Sequence, residues 1–274
     1  MQVIKASGKT EPFSEKKVLQ SLKRVGVPED ISVSALRHVK EQLKDNIKTQ
    51  EVSQLVTEYL KKNSSPKHYS NYSLRRAIFQ LGPTGYPFET FVAEIFRTLG
   101  YQAKVSQMYS GKCIDHEIDV DLTKDKYHYF VECKFHNQPG YKADVQVALY
   151  THARFSDIAT NYPKNKDEIL QSWLITNTKA SRDAIKYANC VGLKITTWGY
   201  PGKSNLRQMI LDARLHPVTC LATLDDDQKK FLVDQNIVTL KTLREDLAQP
   251  EKLDEIIPSK IRKMVLDEIS QIIE

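Results

Sequence analysis

The chain has 274 residues, 41% of them hydrophobic, with a formal net charge of +6. That length supports about two domains with sizeable cores. No apolar run approaches the ~18 residues that would span a bilayer, and no signal-peptide pattern opens the chain, so no membrane partner is expected. Cys113, Cys133, Cys190 and Cys220 show neither zinc-ligand nor disulfide spacing, which fits a reducing cytoplasm.

Residues 1–80 are basic, with 15 Lys/Arg against 8 Asp/Glu. Val3–Val18 predicts a β-hairpin feeding a helix that is capped by Ser14. Lys17 falls in the first turns of that helix, near Lys5 and Lys9 in sequence. Lysines gathered at a helix N-terminus favour an anion, because free backbone amides already do. The competing reading is a solvated basic face. Lys5, Gly8, Glu11 and Lys17 fall on a pattern that resembles the ATP-cone, the nucleotide-sensing module of ribonucleotide reductases and their repressors. Lys48-Thr49-Gln50-Glu51-Val52 is similar to its later helix start. The resemblance covers about residues 1–80 and implies that these four residues and Thr49 bind ATP or dATP. Many cones carry a second basic residue after the first Lys; here it is Ala6.

From Phe88 to Gly100 the apolar periodicity predicts an amphipathic helix ending at Gly, with Glu89 in its first turn. Two strand-like runs follow, Glu117–Asp121 and Phe130–Phe135. Alternate side chains of a strand share a face, so Glu132 and Lys134 point one way while Val131, Cys133 and Phe135 point into a core. Charges on such a strand are costly unless they have a task or a partner, although the solvent face of an antiparallel strand is the bland alternative. A helix is expected from about Ala143 to Ile158 and another from Ser181 to Asn189. Strands are expected at Trp173–Thr176 and Leu193–Trp198. The order is α-β-β-β-α-β-α-β.

That order and those residues resemble the restriction-endonuclease-like nucleases, the PD-(D/E)xK superfamily, most closely its Mrr-type branch, over about residues 84–200. The resemblance implies that Asp119 and Glu132 bind Mg²⁺ or Mn²⁺, with the Cys133 carbonyl as a third donor. It implies that Lys134 orients the attacking water, and that Glu89 is the early helix carboxylate. Gln146-Val147-Ala148-Leu149-Tyr150 is similar to the Gln-x-x-x-Tyr element of RecB-type members and adds Gln146 to the catalytic set. Ile118 stands where the family name has Pro.

Gly202-Lys203-Ser204 is not a Walker A loop, which would need Gly at position 197, where Thr stands. Pro201–Asn205 has the composition of a linker. Beyond it, residues 206–274 predict two short helices between Leu224 and Leu247, broken at Asn236–Thr239, and a last helix to Ile273. This small helical domain resembles helix-hairpin-helix modules, with Pro258-Ser259 in place of the hairpin glycines. Residues 221–274 carry 8 Lys/Arg against 12 Asp/Glu, so charge alone does not direct them to DNA. DNA binding, partner binding and self-association all remain open for them.

The expected architecture is therefore multidomain: a mainly helical cone with a small hairpin, a central α/β nuclease domain and a small helical C-terminal domain. The expected function is an Mg²⁺-dependent DNA endonuclease regulated by ATP or dATP, assembling as a homo-oligomer. The alternative is a nucleotide-responsive DNA-binding regulator without catalysis.

Overall fold

The computed structural model describes residues 1–163, 167–249 and 253–274. The chain folds into two compact units. One holds residues 1–77, 220–229 and 244–274, and the other 78–219 and 230–243.

In the first unit, β1 (Gln2–Ile4) and β2 (Thr10–Pro12) form the expected hairpin. Then come α1 (Glu15–Arg24), α2 (Glu29–Gln42), β3 (Ile47–Lys48), α3 (Thr49–Asn63) and α4 (Pro66–Phe79). Ser14 caps α1 by accepting from the Lys17 N–H. The sequence did not announce β3, which pairs parallel with β1 and makes a three-stranded sheet, β2-β1-β3. Two residues are too short to show alternation. Leu22, Ala35, Val39, Val56 and Leu60 are among the buried residues that hold helices and sheet together.

The second unit opens with α5 (Tyr86–Thr98). It continues through β4 (Gln102–Ser110), β5 (Asp115–Lys124), β6 (Tyr127–Lys134), β7 (Lys142–Ala143) and α6 (Val145–Asn161). After these come β8 (Ile169–Thr176), β9 (Lys179–Ala180), α7 (Arg182–Val191) and β10 (Lys194–Thr196). The main sheet has the order β10-β8-β6-β5-β4. Its β4-β5-β6 part is antiparallel, while β8 and β10 run parallel to β6. A parallel return needs a crossover, and α6 and α7 supply the two crossovers.

Helices cover both faces of this sheet. Phe96 of α5 lies edge-on to Trp173 at 5.0 Å, beside Tyr101 and Tyr129. Ile158 of α6 packs with Phe130 and Ile118. Tyr129 and Phe130 are consecutive in β6 and so face opposite ways. Glu132 and Lys134 share the Phe130 face, towards α6. Phe88, Phe91 and Phe96 are fully buried, each worth about 1.5–3 kcal/mol of transfer energy.

The last residues are helical, as expected, and they are shared between the two compact units, 220–229 and 244–274 with the first and 230–243 with the second. A short helix that sequence reasoning did not announce, α8 (Leu206–Asp212), is capped by Asn205. Then follow α9 (Asp226–Asp234), α10 (Leu240–Leu247) and α11 (Ser259–Ile273). Within the first unit, the buried Glu268 of α11 accepts from the Ala222 and Thr223 N–H groups at 2.6 and 2.9 Å. No helix among the described residues is long and apolar enough to cross a membrane.

Candidate active site

The Cα pairing of β5 with β6 stops at Val120↔Val131, one residue short of Asp119. On the other side of β5 the pairing with β4 skips the Asp119 position, where Ser106 has φ 51. The interruption frees Asp119 from strict alternation, and its Oδ2 accepts the Cys133 N–H at 2.7 Å. That bond ties the Asp to the strand that carries Glu132 and Lys134. Desolvation raises the pKa of Asp119, and the bond from Cys133 opposes that rise.

Glu132 is mostly buried and sits in the field of Asp119. Desolvation and then that like charge push its pKa up to about 7, although Arg154 and Lys134 pull the other way. Glu89, in the first turn of α5, is also pushed up to about 7, by desolvation and then by Asp119, Glu117 and Glu132. Gly85 lies against it: a Cβ there would come within 3.1 Å of Glu89 Oε1. The structure thus brings Glu89, Asp119 and Glu132 within electrostatic reach of one another. Lys134 follows at the exposed end of β6, opposite Thr176. Gln146 is exposed on the first turn of α6, and no hydrogen bond joins it to these carboxylates.

Two further residues belong to this cluster. Glu117 is two positions before Asp119 on β5 and adds a fourth negative charge. The Glu-x-Asp spacing could have found it. Arg154, on α6, forms an ion pair with Glu132. It lies four residues after Tyr150 and eight after Gln146, on one helix face, and its guanidinium lies over the Tyr150 ring, 5.2 Å from the centroid. Nothing within the strand motif announces it.

Asp121, two residues beyond Asp119, serves a different network. It accepts from Tyr109 Oη and meets His128 Nε2 at 2.9 Å. Burial alone would raise its pKa, but these bonds outweigh it and hold the pKa below the ordinary value. Another separate cluster fixes the β4–β5 turn. Asp157 of α6 accepts the Cys113 and Ile114 N–H groups and meets His116 Nε2 at 2.8 Å. The bond to His116, foremost, lowers its pKa to about 2.

A hard divalent cation fits the donor set around Asp119. The donors are oxygens, and their crowded negative charge favours a positive ion. Among the described residues no three His, Cys, Asp or Glu side chains close into a cage. The fit is therefore to an ion held by one or two carboxylates that keeps several waters, as Mg²⁺ does.

In the first unit, Glu11 Oε2 bridges Lys5 at 2.6 Å and Lys17 at 2.8 Å. Bonds from Lys17 and then Lys5 lower the pKa of Glu11. Gly8, at φ 78, turns the hairpin between β1 and β2, and its N–H reaches the Lys5 carbonyl at 2.9 Å. Thr49 opens α3 one residue past the Ile4↔Lys48 pair, which sets it level with Lys5. Lys5, Glu11 and Thr49 thus lie at one end of the β2-β1-β3 sheet with the Gly8 turn beside them, and Lys17, on α1, joins them through Glu11.

The ATP cone domain family matches residues 1–79, and a restriction endonuclease family of Mrr catalytic type matches residues 83–199. A third family, described as AF1548-like, C-terminal, matches residues 216–273. An uncharacterized protein of Archaeoglobus fulgidus is 36% identical over 183 residues, covering 66% of this chain and 99% of that protein. A crystal structure described as that of a protein of unknown function, AF1548, is 34% identical. It covers 69% of this chain and 98% of its own, with a TM-score of 0.56.

Proposed function

The chain belongs to the family of the uncharacterized Archaeoglobus fulgidus protein and joins an ATP-cone domain to a restriction endonuclease-like domain, and from this we propose a divalent-metal-dependent DNA endonuclease regulated by ATP or dATP. One observation carries the reading. Three mutually repelling carboxylates, Glu89, Asp119 and Glu132, are gathered beside Lys134 where the sheet pairing breaks. Two acids pushed to about 7 by burial and by a third carboxylate beside them are a candidate site with a physical rationale.

In this reading Asp119 and Glu132 hold the ion, with the Cys133 carbonyl as a third donor. The bound Mg²⁺ or Mn²⁺ supplies Lewis-acid polarisation of the phosphate and a more acidic water. The Cys133 N–H keeps the Asp119 carboxylate turned towards its place. Lys134 orients the attacking water and offsets charge as its oxygen bonds to phosphorus and the P–O bond of the leaving nucleotide breaks. Glu89, with a pKa near neutrality, exchanges a proton or assists a second ion. Gln146 supports the substrate side of α6. Lys5, Gly8, Glu11, Lys17 and Thr49 form the nucleotide site, and occupancy there changes self-association.

Lys134 acts on the transition state and adds little to the ground state. Lys134→Ala is therefore expected to abolish Mg²⁺-dependent cleavage of linear, nicked or single-stranded DNA while fold and DNA affinity persist. Cleavage at the parental rate would refute the assignment. Running the same assay with and without ATP sets the sign of regulation.

A further inference from the structure

Arg154 is an unusual partner for a metal-binding carboxylate. Its side chain is only 12% exposed, one Nη donates to Glu132, and its charge also acts on Asp119. Its Nε is buried without a hydrogen-bond partner among the described residues. A guanidinium has five donors in a rigid fork suited to two oxygens of one phosphate or carboxylate. Here the contact with Glu132 runs through Nη1, and the Nε edge is left unused. A dry, unused N–H is costly, so an arginine meant only to brace α6 on β6 would be expected to spend it.

The position matters as much as the unused donor. The cation that Asp119 and Glu132 would take shares with Arg154 the Glu132 carboxylate, whose Oε2 the guanidinium now holds. Two cations on one carboxylate repel each other, so ion and guanidinium compete for Glu132. Its guanidinium at the same time lies over the Tyr150 ring, 5.2 Å from the centroid, a cation–π contact on the same helix face as Gln146.

We propose that Arg154 is a second phosphate-binding group of this site, stored on Glu132 until a divalent cation claims that carboxylate. It is then released, along the Tyr150 ring, to a non-bridging oxygen of the substrate phosphodiester. The ligand class is a nucleic-acid phosphate, and the proposal rests on the active-site reading above. Storage keeps the guanidinium from holding DNA in the absence of metal. Release adds a positive charge to the substrate side at the moment the ion binds.

The test uses the full-length protein and two readouts besides cleavage. Mn²⁺ binding is measured by calorimetry without DNA, for the parent, Arg154→Met and Arg154→Gln. Removing the competitor should tighten Mn²⁺ binding about tenfold in both variants. Binding of a short labelled duplex is then measured against salt in Ca²⁺, which replaces Mg²⁺. The variants should lose about one unit of the log–log salt slope, the share of a single phosphate contact. Arg154→Lys should keep that slope. Either variant suffices if the other does not fold. A brace with no other task predicts an unchanged salt slope in the variants. Unchanged or looser Mn²⁺ binding, or an unchanged salt slope, would overturn the proposal while leaving the active-site reading intact. A parent that binds no Mn²⁺ would overturn both.

Discussion

Glu89 and Asp157 show opposite ways in which a single carboxyl couples this fold to pH. Folded Glu89 keeps its proton up to about pH 7, while an unfolded chain releases it near 4.5. The native state binds more protons in that window, so stability falls as pH rises through it. Glu89→Gln lacks the titration. It is expected to melt with the parent at pH 4 and above it at pH 8, by about 1–2 kcal/mol after allowing for solvent screening. Equal melting at both pH values would show that Glu89 is not under electrostatic strain. Asp157 has the reverse sign. Its pKa of about 2 lies below that of the unfolded chain. Its support for the Gly111–Asp115 turn is therefore complete above about pH 4 and lost as pH falls towards 2. Asp157→Asn should melt below the parent at pH 7, and the gap should close on acidification. Gly111→Ala should lose the same support at neutral pH, because its Cβ would collide with Asp157 Oδ2. A gap that stays constant with pH would mean the clamp is not ionic. The Glu-x-Lys strand could be found from alternation alone. Arg154 and Asp157 could not, since each meets its partner across more than twenty residues and nothing in the local pattern of α6 marks either one.

Among the elements, the cone hairpin shows how much can be deduced from local signals and how much cannot. Ser14 and the Gly8 turn announced a strand-turn-strand-helix, and the structure has it. The parallel partner β3 has only two residues, Ile47 and Lys48, and its pairing is set by the tertiary fold. Yet that pairing is what sets Thr49 level with Lys5. In this structure Glu11 pairs with both lysines and leaves the trio one net positive charge, so a nucleotide phosphate competes with Glu11 for them. ATP at a hundredfold excess over its dissociation constant should stabilise the full-length protein by about 2.7 kcal/mol. Lys5→Ala and Lys17→Ala should each reduce the shift in thermal melts. Sulfate at equal ionic strength should not reproduce the parental shift. Equal shifts from both anions would leave only a basic surface. Most of the large α/β elements were legible from their apolar periods, but β4 (Gln102–Ser110) was not assigned residues beforehand, because its burial alternates only between half-buried and exposed positions. α8, at seven residues, was not, for its first turn follows a Gly-Lys-Ser-Asn run that has loop composition.

At the scale of the molecule, the division of residues 206–274 between two units is the feature that composition hid. Local composition reads an acidic tail with short helices, and only the tertiary contacts assign 220–229 and 244–274 to one unit and 230–243 to the other. Val265, Ile269, Ile272 and Ile273 of α11 are buried, and together they contribute roughly 6 kcal/mol even at the low end of apolar transfer. That is comparable to the whole net stability of a typical domain. Removing residues 259–274 is expected to abolish the ATP-dependent melting shift, although Lys5, Glu11, Lys17 and Thr49 all remain. A truncated chain that kept the shift would show that the first 77 residues suffice. The division of the first unit also bears on how the protein is made. A ribosome adds about 5–20 residues per second and releases the chain from its N-terminal end. Lys5, Glu11, Lys17 and Thr49 are made long before the rest of their unit, which closes only when residues 244–274 have been made. The unit bearing the carboxylates likewise waits for residues 230–243. A nascent chain that has not yet reached residues 230–274 lacks part of both units, so the cone and the carboxylate cluster of the main sheet are completed by the same late stretch of chain.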